Sequence, residues 1–95
     1  MDLRARHDGT LELAGLLTFE TVPDYYGQTD TLFNAGAGAV VVDLGQVTRA
    51  DSAGLALLVE WAHRAQAVNR RIEFRNLPEQ MRHLIEVSGL TRVLV

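Results

Sequence analysis

Asp51 and Ser52 are the two residues of this chain whose types and placement best suit a functional role. Ahead of them, Val40, Val41 and Val42 form a β-branched run that predicts a buried strand ending at Asp43, and from Ser52 onward the pattern predicts a helix entered through a short turn. The pair falls where such a strand, turn and helix present their first free backbone amides. A side-chain oxygen at that point caps those amides, worth about 1 kcal/mol. A hydroxyl there also faces the positive end of the helix dipole, where an anion or a partner's acceptor is favoured. Both roles fit one residue pair.

The remaining polar residues assemble no catalytic or metal-binding set. His7, His63 and His83 lie on three different predicted elements without metal-ligand spacing. His63 follows Ser52 by eleven residues of one helix, which at about 1.5 Å per residue separates their Cα atoms by roughly 16 Å, too far for a base acting on the hydroxyl. Nothing recommends His7 or His83 for that role. Glu12, Glu60 and Arg64 read as solvated charges. Gly36 and Gly38 precede a strand instead of a helix and no lysine follows, so a nucleotide loop is rejected. Gly54 is expected where helix and strand approach closely. No catalytic residue, metal or cofactor is expected.

The elements that must hold the Asp51–Ser52 pair follow from periodicity. Leu3, Ala5 and His7 alternate with Arg4 and Arg6, Asp8 and Gly9 offer a tight turn, and alternation resumes from Thr10 to Leu13, which predicts an N-terminal hairpin. Pro23 and Asp24 open a first helix, in which Val22, Tyr25, Tyr26, Thr29, Leu32 and Phe33 recur at helical spacing and Gly27 is a weak point. Residues 35–39 read as a flexible connection to the buried strand. The helix from Ser52 to about Val68 carries Leu55, Leu58, Val59, Ala62 and Ala65 on one stripe that faces the sheet. Leu57, Trp61 and Val68 lie roughly 120 to 160° away at about 100° per residue. This second apolar stripe has two readings: Trp61 packs on a neighbouring helix of its own domain, or Leu57 and Trp61 meet another protein. Residues 71–75 alternate as a short strand. Pro78 and Glu79 open a last helix with Met81, Leu84, Ile85 and Ser88 inward and Gly89 as its stop, before a tail or strand at Val93, Leu94 and Val95.

Composition bounds the rest. Ninety-five residues, 47% of them hydrophobic and 22% charged, make one domain over residues 1–95 with a thin but sufficient core. There is no cysteine, which fits a reducing compartment, and the formal charge of −3 comes without the basic stripe that nucleic acid requires. No apolar run reaches the roughly 18 to 20 residues of a membrane span, and no leader pattern is seen near Met1. A hairpin followed by alternating helices and strands gives an α/β fold with a mixed sheet.

The stretch from Asp43 to Leu58, Asp-Leu-Gly-x-Val-x-x-x-Asp-Ser-Ala-Gly-Leu-Ala-Leu-Leu, resembles the signature of the STAS domain, a family named for sulfate transporters and anti-sigma factor antagonists. The resemblance spans nearly the whole chain and implies helices mainly on one face of the sheet. Within the family, Gly54 to Leu58 followed by Glu60 and Trp61 is most similar to the small cytoplasmic STAS subunit of Mla-type phospholipid-trafficking ABC transporters, which maintain outer-membrane lipid asymmetry. That likeness implies a non-catalytic adaptor that binds and stabilises the transporter ATPase, and through it the permease, peripheral to the inner membrane on the cytoplasmic side. The expected partner-binding residues are Asp51, Ser52, Ala53, Leu57 and Trp61. The alternative is an anti-sigma factor antagonist whose residue matching Ser52 is phosphorylated by an anti-sigma factor kinase, so that added charge and bulk break the partner complex.

Overall fold

The computed structural model describes residues 2–5, 10–34 and 38–91. Its elements run β1 (Asp2–Ala5), β2 (Leu11–Leu17), α1 (Val22–Tyr26), α2 (Thr29–Asn34), β3 (Val40–Ala50), α3 (Ser52–Ala67), β4 (Ile72–Arg75) and α4 (Glu79–Val87). The four strands form one sheet in sequence order, with β1 antiparallel to β2 and the β2–β3 and β3–β4 pairs parallel. Two crossovers that advance in the same direction with the same right-handed sense lay their helices on the same side of a sheet. Accordingly α3 packs on β3 and β4 and also on α1, α2 and α4. The mixed sheet, the N-terminal strand pair and the one-sided helices are those expected. The Asp8–Gly9 turn, the segment 35–37 and the tail at Val93, Leu94 and Val95 lie outside the described residues.

Two elements differ from the sequence reading. Strand β3 does not end at Asp43 but continues to Ala50. It holds one residue more than β2 between the pairs Glu12↔Asp43 and Ala14↔Gln46, and again between Gly15↔Val47 and Leu16↔Arg49. These bulges break the alternation that marks a strand, and the polar run Gly45, Gln46, Thr48 and Arg49 then resembles a loop. The Asp43 carboxylate bridges the first irregularity, accepting hydrogen bonds from Gly45 N at 2.8 Å and from Asn76 Nδ2 at 3.1 Å. The first helix is two short ones: Gly27 N–H still donates four residues back to Pro23 O at 3.3 Å, but Gln28 N–H donates only three back, to Tyr25 O at 3.0 Å, before the helix restarts at Thr29.

Helix α3 is the centre of the core. Leu55, Leu58 and Ala65 are buried as the first stripe requires. Leu57 and Trp61 are each 0% exposed, so the expectation that they form a partner surface is overturned: they are core residues. The reason is that α3 is covered on more than its sheet-facing side. The Trp61 ring meets Tyr25 edge to face at 6.5 Å and 86°, and its Nε1–H donates to Thr29 Oγ1 at 3.1 Å, while that hydroxyl donates to Tyr25 O at 3.3 Å. Trp61 thereby fastens both short helices to α3, which are too short to hold themselves. Helix α4 buries Met81 and Ile85, leaves its C-cap Ser88 exposed instead of inward, and stops at Gly89 with φ +70°. Leu90 N donates to Ile85 O at 3.0 Å across that stop. No helix among the described residues is long and apolar enough to cross a membrane.

Among the described glycines the closest approach is at Gly54. A Cβ there would lie 2.6 Å from Leu17 O, 3.0 Å from Leu17 Cγ and 3.2 Å from Met81 Cε. Gly54→Ala is expected to destabilise by ~1–3 kcal/mol, lowering Tm by about 4–8 °C for each kcal/mol in a domain of this size. An unchanged melting curve would show that α3 and β2 are less tightly opposed than described. Trp61→Ala should cost ~3–5 kcal/mol, a large part of the ~5–15 kcal/mol available to a small domain. The urea midpoint reads this, and loss of less than about 1 kcal/mol would remove Trp61 from the core.

Candidate functional site

The junction between β3 and α3 is built around one carboxylate. Asp51 sits in extended backbone, φ −131° and ψ −169°, as the N-cap of α3. Its Oδ1 accepts from Ala53 N at 2.9 Å and Gly54 N at 3.4 Å, and its Oδ2 accepts from Phe19 N at 3.2 Å. Asp51 N in turn donates to Leu17 O at 3.3 Å. One side chain thus satisfies two amides of the helix tip and one of the loop that leaves β2. The neighbouring Ala50 N donates to Gln80 Oε1 at 3.3 Å, which ties the junction to α4 as well.

The loop that Asp51 holds is itself closed by threonines. Thr18 N donates to Thr21 Oγ1 at 3.0 Å, the Thr21 hydroxyl donates to Leu16 O at 2.9 Å, and Thr21 N and Val22 N both donate to Thr18 O, at 2.9 and 2.8 Å. Between these fixed points Phe19 stands 76% exposed. Phe19, Leu16, Glu20, Arg49, Asp51 and Gln80 line a cleft of about 220 Å³.

Ser52 is the first residue of α3 and is exposed, and its hydroxyl makes no hydrogen bond among the described residues. It opens a second groove, more apolar, that runs along α3 past Ala56, Val59, Glu60 and His63 to Leu90. Ala53 is half-buried behind it. Of the five residues expected at a partner surface, Ser52 is at the surface, Asp51 and Ala53 are partly so, and Leu57 and Trp61 are not. Phe19 and Leu16 are exposed apolar residues beside this junction that the sequence alone did not single out. Their signal was present in the sequence: a phenylalanine set between Thr18 and Glu20 in a segment otherwise made for turning.

This arrangement presents shape and a hydroxyl. The Asp51 carboxylate, the acid next to Ser52 in sequence, is engaged by three amides. Arg64 pairs with Asp30 and not with Glu60, and His63 and His83 are exposed on different helices, while His7 lies outside the described residues. Among the described residues, no group of three or more His, Asp or Glu is placed to hold a metal ion. A phosphate carried by Ser52 would lie at the positive end of the α3 dipole and point to solvent, so the fold can accommodate one.

Comparison with known proteins agrees with the fold. The anti-sigma factor antagonist SpoIIAA, in its unphosphorylated form, matches with a TM-score of 0.76 at 22% sequence identity, over 99% of this chain and 84% of SpoIIAA. The crystal structure of Mglu matches with a TM-score of 0.63 and 27% identity over 83% of this chain and 20% of Mglu, and its native form with 0.57 and 26% over 81% and 22%. Among curated proteins none matches. The family model of the MlaB STAS domain matches residues 2–95. The chain therefore belongs to the MlaB-type STAS domain family.

Proposed function

We propose that this protein is a non-catalytic adaptor that docks on the ATPase of an Mla-type phospholipid-transporting ABC transporter and stabilises it. It reaches the permease only through that ATPase, on the cytoplasmic side of the inner membrane. The observation that carries this reading is the exposed Ser52, its hydroxyl without a partner among the described residues, at the tip of a helix whose Ala53 and Gly54 amides are already capped by Asp51. A capped tip has little need of a ligand, and a rigid tip flanked by two clefts suits a partner. Membership in a family named for MlaB supports the choice of partner. The surface used is the tip of α3 with Asp51, Ser52 and Ala53, extended along Ala56 and His63, while Leu57 and Trp61 act from inside by keeping α3 straight and fixed.

A second reading rests on the same hydroxyl. As an anti-sigma factor antagonist, the protein would receive the γ-phosphoryl group of ATP on Ser52 Oγ from a partner kinase, with release of ADP and a proton. The added charge at a contact surface would then end the complex.

Co-purification with the ATPase and permease separates these. Ser52→Arg should weaken capture by ~10-fold or more, as bulk at the centre of a docking surface does, with Tm unchanged. Capture of Ser52→Arg equal to wild type would overturn the docking surface. For the second reading, incubation with a cognate kinase and ATP should add one phosphoryl group by intact mass, and Ser52→Ala should add none. An unmodified wild-type mass would reject it.

A further inference from the structure

We infer that Phe19 is the anchor by which this protein seats in its partner, and that Asp51 is the positioning residue that aims it. This rests on the docking reading above and names the side chain that supplies most of its affinity. Isolated exposed apolar residues are common and need no explanation. Phe19 differs in how firmly it is held in water. A 76% exposed phenyl sits in a loop with its own N–H donated to Asp51, and the residues on either side are closed by the Thr18 and Thr21 hydrogen bonds. A flexible loop would fold such a ring down onto the surface. This one fixes its backbone to the same carboxylate that caps α3, so Phe19 and Ser52 are presented by one rigid junction.

That combination is what a binding anchor requires. An aromatic side chain has few rotatable bonds and a large apolar area, and a backbone ordered beforehand loses little further freedom on docking. Leu16, 44% exposed and lining the same cleft, adds apolar area beside it. The occupant this patch fits is a protein whose apolar socket carries rim charges of both signs, because exposed Glu20 and exposed Arg49 line the same cleft as Phe19. A patch of mixed sign does not draw an anionic bilayer, and a single phenyl adds too little burial to hold a protein on one.

The test is a double-mutant cycle on the intact protein, with affinity for the ATPase measured by calorimetry. Phe19→Ala should weaken Kd by ~30-fold with Tm unchanged, and Phe19→Leu should recover part of the loss. Asp51→Asn should weaken Kd by ~10-fold and speed hydrogen exchange of the Phe19 amide, yet cost clearly less when Phe19 is already alanine, the remainder being its separate hold on the α3 tip. Binding of Phe19→Ala within threefold of wild type overturns the inference, while the docking reading survives if Ser52→Arg still abolishes capture. Losses that multiply in the double variant overturn the positioning role of Asp51. If wild type fails to bind the ATPase, both readings fall together. Loss by Phe19→Ala of binding to phosphatidylglycerol vesicles, or of a dimer in sedimentation, with ATPase affinity intact, would assign Phe19 to a membrane or to a second copy and overturn the proposal.

Discussion

The Asp51 carboxylate is the point on which the functional end of the molecule depends, since three backbone amides from two separate elements converge on it. Two of them belong to the first turn of α3, where helical amides have no partner of their own, and the third belongs to a loop 32 residues earlier in the chain. The result is a joint in place of a simple cap. The end of β2, the end of β3 and the start of α3 are held at one distance from each other, and the distance is short. Leu17 O accepts from Asp51 N and lies against the bare Cα of Gly54. Any side chain at position 54 would force the helix away from β2 and stretch the bonds that Asp51 makes. The glycine and the aspartate are two halves of one constraint.

The rest of the fold serves to back this joint with a solid layer. Helix α3 lies against β3 and β4, with α1 and α2 fastened to it by Trp61 and α4 packed on it. A helix enclosed in that way is apolar around most of its circumference, and only a narrow strip through Ser52, Ala56 and His63 stays exposed. Rigidity of the strip follows from burial of everything else. The buried side chains Leu55, Leu58 and Trp61 of the same helix lie behind that strip.

What the sequence made legible, and what it hid, follows from how local each signal is. The hairpin strands, α3, β4 and α4 were readable because alternation, an N-cap acid, Pro78 and Gly89 each act within a few residues. The second half of β3 was hidden because its pairing depends on bulges opposite β2, and bulges erase the period that reveals a strand. The site was half legible. Asp51 and Ser52 were visible as a helix start, but the stripe of Leu57 and Trp61 could equally be an interface or a core, since periodicity records that a face is apolar and not what covers it. Its cover comes from Tyr25 and Thr29, about thirty residues away, through contacts no local pattern encodes. Phe19 was missed for the converse reason: a lone aromatic in a turn has no period at all.

A joint of this kind also separates the capping of α3 from the surface that α3 presents. Asp51 takes the Ala53 and Gly54 amides, so the Ser52 hydroxyl is not spent on capping the helix. The hydroxyl can be a small neutral surface group for a permanent partner, or a phosphate acceptor for a transient one, and neither role requires a change in the residues that shape it. Selectivity then has to come from the groups around the tip, where the β2 loop sets its length and its apolar content independently of the α3 cap. The loop that the cap restrains carries the exposed apolar side chains beside the tip, and groups of that kind are where a partner can be told from its rivals.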